Sequence, residues 1–306
     1  MRVTVFGGSG FLGSHVCDKL SDAGHEVTIF DRATSRWLKP GQRMILGDIL
    51  DEAAVREAVR GAEAVFNFAG IADIGEANEL PVETVKANIL GNVVLLEACR
   101  LEGVKRFVYA STVYVYSASG GFYRCSKQAS ELYIETYNEN FGLEYTILRY
   151  GSLYGPRADL RNAIHRFVHQ AMTEGVIRYY GSPDALREYI HVEDAALASV
   201  DILKPEFANA RVVLTGHQAM RVGDVMKMIG EILGGEVRFE FFSEKSSAHY
   251  EITPYSFSPR MGRKYAPPLH MDLGQGVLRV VEEMHRDIHP ELQNRDGVLV
   301  RDDQGS

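Results

Sequence analysis

Through the first half of the chain the spacing of apolar positions switches back and forth between two periods. Short apolar runs rich in β-branched residues, "RVTVFG" (2–7), "EVTIFD" (26–31), "RMILGD" (43–48), "AVFNFAG" (64–70), "RFVYAST" (106–112) and "EYTILRY" (144–150), predict strands buried on both faces. Between them, the patterns over 11–23, 51–60, 79–102 and 123–141 predict helices. Alternation of this kind implies βαβ units joined by right-handed crossovers. The expected fold is α/β, a doubly wound parallel sheet of the Rossmann type.

The pattern loosens after about residue 157. Segments 159–174, 192–203 and 221–233 predict helices, and 176–180, 211–214 and 236–242 predict short strands. Residues 243–270, rich in Ser, Pro and Tyr, predict an extended loop before a last helix near 273–287. The polar tail from about 293 is expected to be flexible. These patterns divide the chain into a dinucleotide-binding part, 1–157, and a smaller α/β substrate-binding part, 158–306, with an interleaved boundary.

Composition narrows the partners. With 33 Lys and Arg against 41 Asp and Glu the net charge is −8, which provides no basic face for nucleic acid. No apolar run approaches the ~18 residues of a membrane span. The opening "MRVTVFGGSG" runs straight into a strand and a glycine turn without a leader pattern, so a cytoplasmic protein is expected. Cys17, Cys99 and Cys125 show no CxxC spacing and read as reduced thiols that pack in helices.

The first candidate site is "GGSGFLG". Gly7, Gly10 and Gly13 follow a strand and open a helix, which allows a tight turn, close approach of a pyrophosphate, and close helix packing. The helix N-terminus, with Phe11 and Leu12, then offers free N–H groups and partial positive charge to phosphates. Asp31 ends the next strand, eighteen residues beyond Gly13, where a carboxylate can accept from an adenosine ribose. That choice favours NAD. Arg32 and Arg36 follow at once and could receive a 2′-phosphate, which keeps NADP as the alternative. Asp48, beside Ile49, is placed to reach the adenine amino group, and the small residues around Phe68, Ala69 and Gly70 let a dinucleotide lie against the backbone.

The second candidate is "FYRCSK". Tyr123 and Lys127 are four residues apart and share one helix face. An ammonium there, together with a nicotinamide charge, is expected to draw a phenol from about 10 toward neutrality. A tyrosinate can take a proton from a substrate hydroxyl as hydride leaves the same carbon. The "AST" ending the fifth strand supplies a hydroxyl for the reacting oxygen.

"GGSGFLG", "GDI", "NFAG", Asn88 in "VKANILGN", "YASTVYVYS" and "YRCSK", in that order, resemble the extended short-chain dehydrogenase/reductases, the NAD-dependent nucleotide-sugar epimerase/dehydratase group. The resemblance is strong over about 1–200 and loose beyond. It implies Thr112 as the catalytic hydroxyl with Ser111 as runner-up, Asn88 and Lys127 beside the cofactor, and Arg187 in "REYIHVEDAA" on the substrate diphosphate. It also brings Ser152 and Arg157 of "LRYGSLYGPR" to the substrate. Tyr150 and Tyr154 are left between pocket and core. A homodimer through helices 79–102 and 123–141 is a further implication.

Two departures stand out. The link "ASGGF" between Ser117 and Tyr123 is short, and Val113 and Tyr114 occupy the places where dehydratases of the group carry an acidic pair. Dehydration at C4 and C6 is therefore disfavoured. Gly151 and Ser152 stand where the group often has Phe-Asn. His165 and His169 have ligand-like spacing but no third partner, so no metal is expected. His191 reads as a loop-orienting residue, and Arg260 or Arg263 as a solvated loop with a phosphate contact as the alternative. The expected activity is an NAD-dependent nucleotide-sugar epimerase acting at C4. The alternatives are an NADPH-dependent reductase of an NDP-4-keto sugar and a non-catalytic dinucleotide-binding regulator.

Overall fold

The computed structural model describes residues 1–242, 263–265 and 271–289. The expected loop over 243–270 (263–265 apart), the polar tail, Arg260 and the Arg263 side chain lie outside the described residues. Eight strands form one parallel sheet: β1 (Arg2–Phe6), β2 (Glu26–Asp31), β3 (Arg43–Leu46), β4 (Ala64–Asn67), β5 (Arg106–Thr112), β6 (Glu144–Tyr150), β10 (Ala210–Leu214) and β13 (Arg263–Lys264). Their order is β13-β10-β6-β5-β4-β1-β2-β3. The chain reverses direction across the sheet between β1 and β4, and a crevice opens at such a switch point.

Helices cover both faces, as buried strands require. Val3 and Val5 of β1 pack with Val16 and Leu20 of α1 (Phe11–Asp22) and with Ala195 and Ala198 of α8 (Val192–Asp201). Phe6 points the other way, onto Val55 and Val59 of α2 (Glu52–Val59), Leu95 and Leu96 of α5 (Gly91–Leu101) and Ile134 of α6 (Gly121–Phe141). Each such fully buried side chain contributes about 1.5–3 kcal/mol.

A second core sits beside the sheet. It joins Phe167 and Val168 of α7 (Ala163–Glu174), Val225 and Ile229 of α9 (Val222–Leu233), and Val277 and Val280 of α10 (Leu273–Ile288). This lobe also holds a three-stranded sheet of β7 (Ser152–Tyr154), β9 (Leu186–His191) and β11 (Ala219–Arg221), and a pair of β8 (Val176–Tyr180) with β12 (Arg238–Phe242). The halves interleave, because β10, β13 and α8 come from the second half of the sequence yet complete the first sheet.

The expected helix over 79–102 is broken. Residues 74–79 and 81–84 form short helices α3 (Ile74–Glu79) and α4 (Pro81–Thr84), and Val85–Leu90 is π-helical before α5 begins. Strand β4 ends at Asn67 rather than at 70, and α7 begins at Ala163 rather than at 159.

Candidate active site

The glycine loop and the loop after β4 are in contact. A Cβ on Gly7, whose φ is +77°, would lie 2.6 Å from the Ala69 nitrogen, and one on Gly13 would lie 2.2 Å from the Gly7 carbonyl. Those two glycines are required for packing. A Cβ on Gly10 would meet only the Gly7 carbonyl, at 3.3 Å, so the space before Gly10 is free of protein. That open cradle at the head of α1 fits a pyrophosphate.

Asp31 seals the rim of the cradle. Its Oδ2 accepts from the Ser9 N–H at 3.0 Å and its Oδ1 from the Ala33 N–H at 3.2 Å, which fixes the carboxylate beside the loop. Arg32 and Arg36 stand exposed beyond it. Asp48 is exposed, and Ile49 is buried against α5. Phe11 sets its ring edge against His15, and Leu12 packs on the core beneath the sheet.

Asn88 has a scaffolding task. Buried in the π-helical turn, its Oδ1 accepts from the Ile71 N–H at 2.7 Å, and its Nδ2 donates to the Ile71 carbonyl and to Ser126 Oγ, each at 2.9 Å. It therefore fastens the loop after Gly70 to α6. π-Turns occur frequently at functional sites.

The short link between Ser117 and Tyr123 works through two glycines. Gly120 (φ +99°) and Gly121 (φ +50°) take left-handed conformations that let α6 start abruptly, and the Asn78 carbonyl oxygen of α3 accepts from the Phe122 N–H at 3.2 Å. This start delivers Tyr123 to the end of β5. The Thr112 side chain lies beside the Tyr123 phenol and acts to lower it. Thr112 Oγ1 also accepts from the Tyr114 N–H at 3.2 Å, which leaves its proton free to donate.

Lys127 is buried, donates to the Ala110 carbonyl at 2.8 Å, and sits 4.7 Å over the Tyr109 ring and 5.8 Å over that of Tyr123. Burial draws Lys127 down to about 8 against the pull of Glu131. Burial likewise pushes Tyr123 up to about 12, opposed by the Thr112 side chain. The expected descent of the phenol toward neutrality is thus absent from the protein alone. Desolvation outweighs the lowering by Thr112.

Several expected contacts are placed elsewhere. The Ser111 hydroxyl donates to Glu131, whose carboxylate pairs with Arg149 inside the protein. Arg157, at φ +65°, binds Asp18 at 2.8 Å, donates its backbone N–H to the Glu283 carboxylate and lies 4.7 Å over Trp37. The left-handed turn after Pro156 aims it at α1 and α10, which it ties together. Tyr150 donates to or accepts from Ser199, and Tyr154 is 1% exposed, so both belong to the core. Ser152 is half-buried on β7 opposite Tyr189, and Arg187 is buried on the β9 face shared with Tyr189 and His191.

His191 caps α8 by accepting from the Glu193 N–H, and burial lowers it to about 4. Among the described residues no cluster of three or more ligating side chains could hold a metal. A cavity of about 610 Å3 lies in the second lobe between Tyr189, Met220, Met228 and Leu278, and neither Thr112, Tyr123 nor Lys127 lines it. Glu131, Arg149 and Asn78 were not foreseen. Only Glu131 left a trace in the sequence, because 123, 127 and 131 fall on one helix face.

The model of the NAD dependent epimerase/dehydratase family matches residues 3–214. The chain belongs to that family. A UDP-glucose 4-epimerase of Corynebacterium glutamicum is 29% identical, over 78% of this chain and 83% of its own. Among solved structures, a UDP-glucose 4-epimerase from Thermotoga maritima with UDP-glucose is 25% identical at a TM-score of 0.82, covering 94% of this chain and all of its own. A UDP-glucose 4-epimerase of Thermus thermophilus in complex with NAD is 26% identical at a TM-score of 0.81, covering 93% and 99%. Relatives at similar identity include a dTDP-glucose 4,6-dehydratase and a UDP-N-acetyl-α-D-glucosaminuronate decarboxylase. The chain is accordingly an enzyme of the nucleotide-sugar epimerase and dehydratase kind, and its glycine cradle and Asp31 fit the family's cofactor, NAD.

Proposed function

We propose that this protein is an NAD-dependent nucleotide-sugar epimerase acting at C4. The observation that carries the reading is the meeting of Thr112, Tyr123 and Lys127 at the end of β5. Thr112 donates to the hydroxyl oxygen that reacts. Tyr123, as phenolate, takes that hydroxyl's proton, and Lys127 holds the negative charge on the phenol. When bound, NAD supplies the acceptor that removes hydride from the same carbon and returns it, and a positive charge that works against the burial holding Tyr123 near 12. The 4-keto sugar turns in the pocket, and Tyr123 gives the proton back to the oxygen. No net oxidation remains.

Val113 is buried and the Tyr114 ring stands edge-on to Tyr123 at 6.4 Å, so no carboxylate occupies these two places to eliminate a C6 hydroxyl. Arg187, by family resemblance, holds the nucleotide diphosphate, and Ser152 faces the substrate where the family often has an asparagine amide. A second reading rests on exposed Arg32 and Arg36, which suit the extra phosphate of NADPH and a one-way ketoreductase. Proton NMR of UDP- and GDP-hexoses incubated with the protein decides between them. C4 interconversion without added reductant supports the epimerase, and turnover only of a 4-keto sugar with NADPH overturns it.

The proposed assembly is a homodimer. Val82, Val85 and Leu90 of the α4-to-α5 segment and Leu132, Tyr133 and Phe141 of α6 are exposed apolar side chains on the two helical segments expected to pair with a second copy. Light scattering at micromolar concentration is expected to give twice the chain mass, and a monomer mass would remove this part of the reading. Among the described residues no helix is long and apolar enough to cross a membrane, and a cytoplasmic location is proposed.

A further inference from the structure

The end of β5 is stapled to α6 at three consecutive residues. Ala110 offers its carbonyl to Lys127, Thr112 meets Tyr123, and Ser111 between them donates its hydroxyl to Glu131. The helix partners, 123, 127 and 131, form one stripe at four-residue intervals. Behind Glu131 stands Arg149 of β6, in register opposite Ser111, giving its Nε to Glu131 Oε1 at 3.0 Å and lying 4.6 Å over the Tyr116 ring. Ser111, Lys127, Glu131 and Arg149 are each less than 9% exposed.

We propose that Glu131 is a positioning residue of the active site: anchored by Arg149, it fixes through Ser111 the strand end that carries Thr112, and it keeps Lys127 charged. This rests on reading Tyr123 and Lys127 as the proton-handling pair. A buried ammonium with one carbonyl acceptor tends to lose its proton. Facing Lys127 are the Tyr109 ring from β5, the Tyr123 ring from its own helix, and the Glu131 carboxylate one turn further on. Of these, the carboxylate is the group held against the Arg149 guanidinium. Arg149 pairs with Glu131 and donates to the Tyr116 hydroxyl. The pair thereby serves two ends: geometry at Thr112 and charge at Lys127.

The test is an NMR titration of the full chain labelled with 13C,15N-lysine, with the Lys127 signal identified by its loss in Lys127→Met. In Glu131→Gln the Lys127 titration is expected at a pH about one unit or more lower. That variant strands the Arg149 charge, so Glu131→Gln/Arg149→Met, which removes both charges together, is measured beside it and is expected to shift equally. A Lys127 titration unmoved in a folded variant overturns the proposal, because a merely structural pair lowers Tm and leaves the lysine where it was. The titration requires no turnover, so it is independent of whether the epimerase reading holds. That reading fails separately, through the substrate assay.

Discussion

The glycine-loop half and the second lobe assemble their candidate sites in different ways. In the first, the groups expected to hold a dinucleotide lie in short motifs that each close a strand of one parallel sheet, at the C-terminal ends of β1, β2 and β4. In the second, Ser152 and Arg187 come from strands 35 positions apart that meet only through sheet pairing, as Ser152 opposite Tyr189 shows. The catalytic group stands between the two regimes, with one partner on β5 and two on α6. Local motifs therefore fix the cofactor end of the molecule, and tertiary packing fixes the substrate end.

The sharpest way to break this comparison is at the junction. Tyr123→Phe removes the phenolic proton carrier and leaves the ring packing of α6 unchanged. Its kcat is expected to fall about 10²–10⁴-fold with little change in Tm. Retained turnover would sever the catalytic group from the two regions it joins.

The second lobe's docking has a pH signature. His15 Nε2 donates to the Pro156 carbonyl and His191 caps α8, and burial lowers both to about 4. Between pH 6.5 and 4 the unfolded chain binds protons that the folded one refuses, so stability falls as pH drops through that window. The loss is about 3 kcal/mol per histidine at most. His191→Asn retains a side-chain acceptor for the helix cap and removes the titration. Urea midpoints at pH 7 and pH 4.5 are expected to differ less in that variant than in the parent protein. An equal difference would place the acid sensitivity elsewhere.

Two arginines sharpen the same comparison at smaller scale. Arg187→Ala is expected to raise KM by an amount equivalent to about 1.5–3 kcal/mol through loss of charged hydrogen bonds, with Tm little changed. Arg157→Ala should do the opposite, destabilising by about 1–3 kcal/mol because Asp18 loses its nearer cation and keeps only Lys39 at 3.5 Å, while KM stays level. Steady-state kinetics and thermal melts on both variants separate a substrate contact from a strut.

The same division explains what the sequence discloses. The strands of the parallel sheet other than β13, the glycine loop, Asp31 and the Tyr123–Lys127 spacing were legible because each depends on short-range periodicity or on residue type, whereas β13 fell inside the loop expected over 243–270. The break at Leu80 and the π-turn around Asn88 were hidden, since an extra residue in a helix leaves the apolar spacing nearly continuous. The tie of Arg157 to Asp18 and Glu283 was hidden because its direction depends on one left-handed backbone angle. The raised phenol was hidden as well, because burial is a property of the assembled site.

The account depends most on a closed redox cycle run on a retained NAD. Freshly purified protein should be denatured and the released dinucleotide identified and counted. About one NAD or NADH per chain is predicted. An empty site, or one that retains or saturates only with NADP(H), would contradict Asp31 as the selector and the epimerase with it.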